Sequence, residues 1–316
     1  KEALGDVYIS EIAACTSASA DWIELKNASN SAVDLSGWGL SNNASRPRKW
    51  QFPDGTVIQP GQYLCVFADR DGNDDMVDPA RAPSTNLIAE FNLSAAGGYS
   101  VVLSRADGEI VDRMALPQQY RDISYGRKND SAECVYFDQM TPGAANAGNT
   151  YLGRAETPAF SVSGGLFEAG DTIEVELSAP SDCRVYYTTD MTDPTENSNR
   201  YTSPIRISSQ TVLRARAYKD GCMPSYMDTQ SYLFETKNGG GSVYTVSIVS
   251  DPYNLTSDEA GILVKGSGSK PNYDQDWERE AHVEIYDPNG NQVVSQECGM
   301  RQQGQTCRSE PQQCFK

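Results

Sequence analysis

Short runs of strict apolar–polar alternation, each closed by a turn signal, constrain the N-terminal part of this chain to strands. Val7-Tyr-Ile-Ser-Glu-Ile12 alternates. So does Asp21-Trp-Ile-Glu-Leu-Lys26, with Ile23 and Leu25 on one face and Trp22, Glu24 and Lys26 on the other. A period of two sends successive side chains to opposite faces of a strand. Asn27-Ala-Ser-Asn-Ser31 reads as a turn. Val33 to Leu40 and Trp50 to Phe52 follow, and Pro53-Asp-Gly55 marks a tight turn. Pro60-Gly61 opens a strand over Gln62 to Ala68. Further strands are expected at Leu87 to Leu93, Tyr99 to Ser104 and Glu109 to Met114. The 26 glycines and 16 prolines in 316 residues fit many short strands joined by turns. The expectation is an all-β sandwich or barrel.

The pattern breaks twice. Residues 148–156 read as a polar linker, and Thr236-Lys-Asn-Gly-Gly-Gly-Ser242 is a flexible linker by composition. Between them Ile173, Val175 and Leu177 alternate inward. Val185 to Thr189 and Thr211 to Tyr218 are further strands, the second opened by a Ser208-Ser-Gln210 turn. Beyond Val243, strands are expected at Val246 to Val249, Gly261 to Val264 and His282 to Tyr286, with an Asp287-Pro-Asn-Gly290 turn. The domains so delimited are residues 5–147, 155–235 and 243–316. They form two sandwiches in tandem followed by a smaller, mostly β partial domain.

Charge and residue counts exclude several functions. The formal charge is −17, which repels a phosphate backbone unless cations cluster. The only dense basic run, Arg46-Pro-Arg48-Lys49, reads as a solvated loop or a small anion site, and no nucleic-acid partner is expected. No apolar run approaches the ~18–20 residues of a membrane span. There is no signal peptide and no initiator Met, so the chain reads as a mature or trimmed product. The lone histidine, His282, excludes multi-histidine metal sites and reads as a half-exposed strand residue. The eight cysteines lack a C-x-x-C pair; their even number fits an oxidising compartment and at least one disulfide, with Cys183–Cys222 the first choice. Cys65, inside an apolar strand, also reads as a buried free thiol.

Asp69-Arg-Asp-Gly-Asn-Asp-Asp75 is the most chemical-looking stretch. Asp69, Asp71 and Asp74 are candidate Ca²⁺ ligands, because carboxylates around a glycine turn can converge on a hard cation. The stretch lacks the later Glu and the full spacing of an EF-hand loop, so a solvated acidic loop is the first reading and a Ca²⁺ site the alternative. Asp190 and Asp193 read as turn residues, and Gly266-Ser-Gly-Ser-Lys270 as a loop without phosphate-loop spacing. Trp22, Trp38, Trp50 and Trp277 would make a sugar platform if exposed; core or edge packing is the expectation.

Three resemblances follow from residues in order. Tyr8-Ile-Ser-Glu-Ile12, Asp21-Trp-Ile-Glu-Leu25, Asp34-Leu-Ser-Gly-Trp-Gly-Leu40, Phe52-Pro-Asp-Gly55, Pro60-Gly-Gln-Tyr-Leu64, Phe91-Asn-Leu-Ser-Ala95, Ser124-Tyr-Gly126 and Thr141-Pro-Gly-Ala-Ala-Asn146 together resemble the lamin tail domain, an immunoglobulin-like β-sandwich. In bacteria that resemblance implies an accessory module of a secreted or surface protein. Tyr186 to Pro194, Tyr201-Thr-Ser-Pro-Ile205, Leu213 to Ala217 and Ser231-Tyr232 resemble the chitobiase/hexosaminidase C-terminal immunoglobulin-like domain, a spacer, with Met191 where a Gly is usual. Val246 to Val249, Gly261-Ile-Leu-Val264, Asp276-Trp-Glu-Arg279, Val283 to Tyr286, Cys298-Gly-Met-Arg301, Gly304 and Arg308-Ser-Glu-Pro-Gln312 resemble the start of the CotH family of spore-coat, kinase-like proteins. That resemblance implies ATP-dependent serine phosphorylation by catalytic residues beyond Lys316. Gln313, where the family often has Lys, departs from it.

The expectation is a non-catalytic binding or spacer region of a secreted or cell-surface bacterial protein, with no catalytic residues in residues 1–316. Its partners would be cell-surface protein or carbohydrate. The alternatives are the N-terminal part of a protein kinase and a calcium-stabilised adhesin.

Overall fold

The computed structural model describes residues 4–17, 20–70, 87–235, 243–304, 307–309 and 314–316. The chain divides into two compact units, residues 1–153 and 154–316.

Among the described residues, unit 1 is a β-sandwich of thirteen strands: β1 (Val7–Ala13), β2 (Trp22–Asn27), β3 (Val33–Asp34), β4 (Gly39–Ser41), β5 (Trp50–Gln51), β6 (Val57–Ile58), β7 (Tyr63–Ala68), β8 (Ile88–Ala89), β9 (Tyr99–Ser104), β10 (Ile110–Leu116), β11 (Ser124–Arg127), β12 (Cys134–Phe137) and β13 (Thr150–Tyr151). One sheet runs β13-β12-β11-β1-β2-β7-β8 and the other β10-β9-β4-β5, with β3 and β6 paired separately. Ile9, Ile12, Ile23, Leu25, Val66, Val101 and Leu103 meet in the core. The expected run Val33 to Leu40 is two short strands, because Gly37 takes φ 70 and turns the chain between them. Leu87 to Leu93 forms only the two-residue β8.

The outer face of the large sheet is also covered. Trp22 is fully buried with Ala13, Ala20, Cys65 and Phe67, and Met140 packs on them. Trp22 lies on the face of β2 opposite Ile23 and Leu25, as alternation requires, but that face is not open to solvent. Trp22 and Glu24 are 0 % exposed, because the segment after β12 folds across them. Arg127 and Asp112 are both largely buried and paired at 2.6 Å, and Asp112 also accepts from Ile9 N–H at 2.7 Å.

Unit 2 begins with β14 (Ala159–Phe160), β15 (Gly165–Glu168), β16 (Ile173–Val175), β17 (Leu177–Ser178), β18 (Arg184–Thr188), β19 (Asn199–Arg200), β20 (Ile205–Ile207), β21 (Thr211–Tyr218) and β22 (Asp228–Glu235). A five-stranded sheet, β15-β22-β21-β18-β19, faces the pairs β16-β20 and β14-β17 across a core that includes Val175, Leu177, Val185, Leu213 and Tyr232. Met191 stands at φ 68 in the turn after β18, a conformation that suits glycine, and its carbonyl accepts from Arg214 Nη1 at 2.6 Å.

The rest of unit 2 comprises β23 (Thr245–Val249), a short helix (Pro252–Thr256), β24 (Glu278–Tyr286), β25 (Gln292–Gln303) and β26 (Cys314–Phe315), with the strands in that order in one sheet. Ser247 and Ser231 hydroxyls meet at 2.8 Å, and Tyr286 OH donates to Ser231 O at 3.4 Å, so this sheet sits on β22. The expected strand at Gly261 to Val264 is absent. Ile262 and Leu263 N–H groups instead bond the carbonyls of Asn254 and Leu255, which draws the run onto the helix end. The protein is therefore all-β, with two immunoglobulin-like sandwiches followed by a smaller β element.

Candidate functional site

His282, Asp190 and Asp193 go to structural work. His282 is buried on β24, not half-exposed, because alternation puts it on the face that carries Glu284 and Tyr286. Its Nδ1 meets Glu297 Oε1 at 2.9 Å and its Nε2 meets Ser295 Oγ at 3.3 Å. That is the order of a serine relay. The β24–β25 register alone accounts for it, since His282 pairs with Glu297 and Glu284 with Ser295. Asp228 faces the same imidazole from β22, and burial raises its carboxyl pKa while Gln230 and His282 lower it. Two carboxylates about one imidazole make a cross-strand polar cluster, and Ser295 lines neither recess described below.

Asp193 Oδ1 bonds the buried Arg214 at 2.7 Å, and Asp190 accepts from Thr192, as turn residues do. Cys183 and Cys222 are free thiols, which corrects the expected disulfide. The Arg184–Tyr218 pairing brings their turns to one end of the sheet, but Cys183 Sγ is directed to Asp182 Oδ1 at 3.7 Å. Asp69 is described, at the end of β7; Asp71 and Asp74 lie outside the described residues. No group of three His, Cys, Asp or Glu gathers for a metal among the described residues. Trp22 is core, Trp38 and Trp50 pack against the core, and Trp277 is half-buried in the smaller β element.

One constellation had no sequence signal. Glu11 and Glu24 stand opposite each other across β1–β2, both fully buried. Thr141 Oγ1 donates to Glu11 at 2.9 Å and Ser124 Oγ also donates to it. Gly143 N–H and Cys65 Sγ donate to Glu24, at 2.5 and 3.2 Å. Burial, above all, pushes Glu24 up to about 8, and it raises Glu11 too. Sealed from solvent, the pair binds the Thr141–Asn146 loop to the sheet and offers no access to substrate.

Accessible chemistry concentrates at the loop joining β4 to β5. Gly39 permits it: a Cβ there would lie 2.7 Å from Pro47 O and 2.8 Å from Arg48 Cα. The loop is locked by Arg46 N–H to Asn43 O (3.0 Å), Ser45 N–H to Asn43 Oδ1 (2.9 Å) and Ser104 Oγ to Pro47 O (3.2 Å). Asn42 Nδ2 donates to Asn92 O at 2.9 Å, and Lys49 Nζ donates to Asn42 Oδ1 at 2.8 Å. These bonds tie the loop to residues 92–100 and frame an open cavity of about 500 Å³. Asn42, Asn43 and Asn92 supply amides to it, and Ser94, Tyr99 and Ser100 supply hydroxyls. Lys49 lines both this cavity and a second recess formed with Arg46 and Arg48.

Residues 1–117 match the Lamin Tail Domain family. Residues 162–230 match the Chitobiase/beta-hexosaminidase C-terminal domain family. No curated protein matches the chain. The lamin-tail match ends just after β10, whereas the sandwich built on it continues through β11, β12 and β13. The cavity lies wholly within the matched residues.

Proposed function

We propose that this chain is a non-catalytic recognition and spacing region of a secreted or surface-attached bacterial protein. The reading is carried by one contrast. Buried acids and the lone histidine are spent on internal bonds, while a preorganised polar cavity with a basic rim faces solvent on the lamin-tail module. The chitobiase-type module is the spacer in this reading. The resemblance of residues 243–316 to the start of the CotH family supports a third module beside a kinase-like domain, with phosphoryl transfer residing outside residues 1–316. Retention on immobilised cell-wall glycans, polysaccharides and matrix proteins tests the proposal. Saturable retention by at least one of them is expected, together with no phosphate transfer when the chain is given ATP and Mg²⁺. Silence against the whole panel reduces the role to spacing, and measured phosphotransfer overturns the reading.

A further inference from the structure

We infer that the cavity between the β4–β5 loop and residues 92–100 binds a short glycan carrying a single acidic sugar. The assignment rests on the recognition role proposed above and names its ligand class. Three observations carry it.

The lining is made of amides and hydroxyls fixed before any ligand arrives. Asn42 is held between Asn92 O and Lys49 Nζ, Asn43 accepts from Ser45 N–H, and Tyr99 OH accepts from Ser94 N–H at 2.8 Å. Such groups match the hydroxyls and acetamides of a sugar, and their preorganisation lowers the ordering cost of binding. A volume of about 500 Å³ is on the scale of one or two sugar rings and falls within the usual range for small-ligand sites.

The rim is cationic, and its cations bond neutral groups, Lys49 Nζ to Asn42 Oδ1 and Arg48 Nη2 to Gln51 Oε1, not carboxylates. Several cations elsewhere are matched to acids, as in Lys26–Asp130, Arg127–Asp112, Arg214–Asp193 and Lys219–Asp182. Among the described residues no carboxylate stands within ion-pair distance of Arg46, Arg48 or Lys49, in a chain of net charge −17. Lys49 Nζ also lies 5.3 Å from the Phe91 ring, which holds the ammonium at the cavity mouth.

The surrounding charge limits the ligand. A long polyanion would run past Lys49 and the adjoining Arg46–Arg48 recess and meet the field of an acidic protein. One carboxylate placed at Lys49 and the arginines gains their attraction without that repulsion.

The test is calorimetric titration of the full chain with a hyaluronan disaccharide, which bears one carboxylate. N,N′-diacetylchitobiose serves as the neutral counterpart and heparin as the polyanion. Expected are saturable binding of the acidic disaccharide, at least about tenfold weaker binding of the neutral one, and no tighter binding per site for heparin. Lys49→Gln and the double variant Arg46→Gln/Arg48→Gln weaken the acidic disaccharide about tenfold, and Lys49→Arg retains affinity, with thermal midpoints unchanged in all three. Equal affinity for the two disaccharides, or indifference to removing the charges, overturns the assignment and leaves a neutral-sugar site standing. No binding of either disaccharide overturns it as well, and the recognition role then rests on the retention panel alone.

Discussion

Residues 1–117, cut where the lamin-tail match ends, do not fold, whereas residues 1–153 unfold in one cooperative transition. The cut removes β11, which pairs with β1 through Glu11–Gly126 and Ile12–Tyr125, and β12 and β13 beyond it. Asp112 loses the guanidinium of Arg127, and Glu11 loses Ser124 and Thr141. Stranding one partner of a buried ion pair costs about 3–5 kcal/mol. Val135 and Phe137, both buried, add about 1.5–3 kcal/mol each. A domain holds only about 5–15 kcal/mol in total, so these losses exhaust it. Urea titration followed by circular dichroism separates the outcomes. A cooperative transition in residues 1–117 contradicts the claim that the later strands complete the sandwich.

The second large effect is on the pH dependence of stability. Glu24 rises from an ordinary 4.5 to about 8 because burial penalises its charged form. Between those values the folded chain holds a proton that the unfolded chain has released. Stability therefore falls as pH rises from about 4.5 to about 8, and the full contribution is present only below that window. Glu11, raised by the same cause, acts in the same direction. Among the described residues the groups facing Glu24 are Glu11 and Ser10 from β1, Cys65 from β7 and the Gly143 N–H, none of them a cation. Glu24→Gln imitates the protonated acid and cannot ionise. Urea unfolding of residues 1–153 should show variant and wild type within about 1 kcal/mol of each other at pH 5. At pH 9 the variant should be more stable by roughly 2–4 kcal/mol, on the order of the pKa displacement converted to free energy. Parallel pH curves would show that the pair does not titrate as described.

Strands were legible where one face is apolar and local turns close them, as in β1, β2, β7 and β9. The outward face of β2 was not. Its Trp22 and Glu24 are covered by residues more than 110 positions away, Met140 and Gly143, and alternation says nothing about a lid of that separation. The same applies to His282, whose burial depends on β22 as well as on its own strand. Gly261 to Val264 looked like a strand because a short apolar run serves a strand and a helix-end anchor equally well. Half of the candidate site was visible: Arg46 to Lys49 stood out as the only dense basic run. The amides that turn it into a cavity come from two segments about fifty residues apart, joined by the β4–β9 pairing.

The recognition role proposed for this chain belongs to the lamin-tail module. Its most direct test is to map amide chemical shifts of the full chain, labelled with ¹⁵N, while the hyaluronan disaccharide is added. Saturable shifts clustered at Asn42, Asn43, Lys49, Asn92, Ser94 and Ser100 are expected, with residues 154–316 unmoved. Shifts centred on His282 and Ser295, or spread through residues 154–316 with the cavity silent, would contradict it.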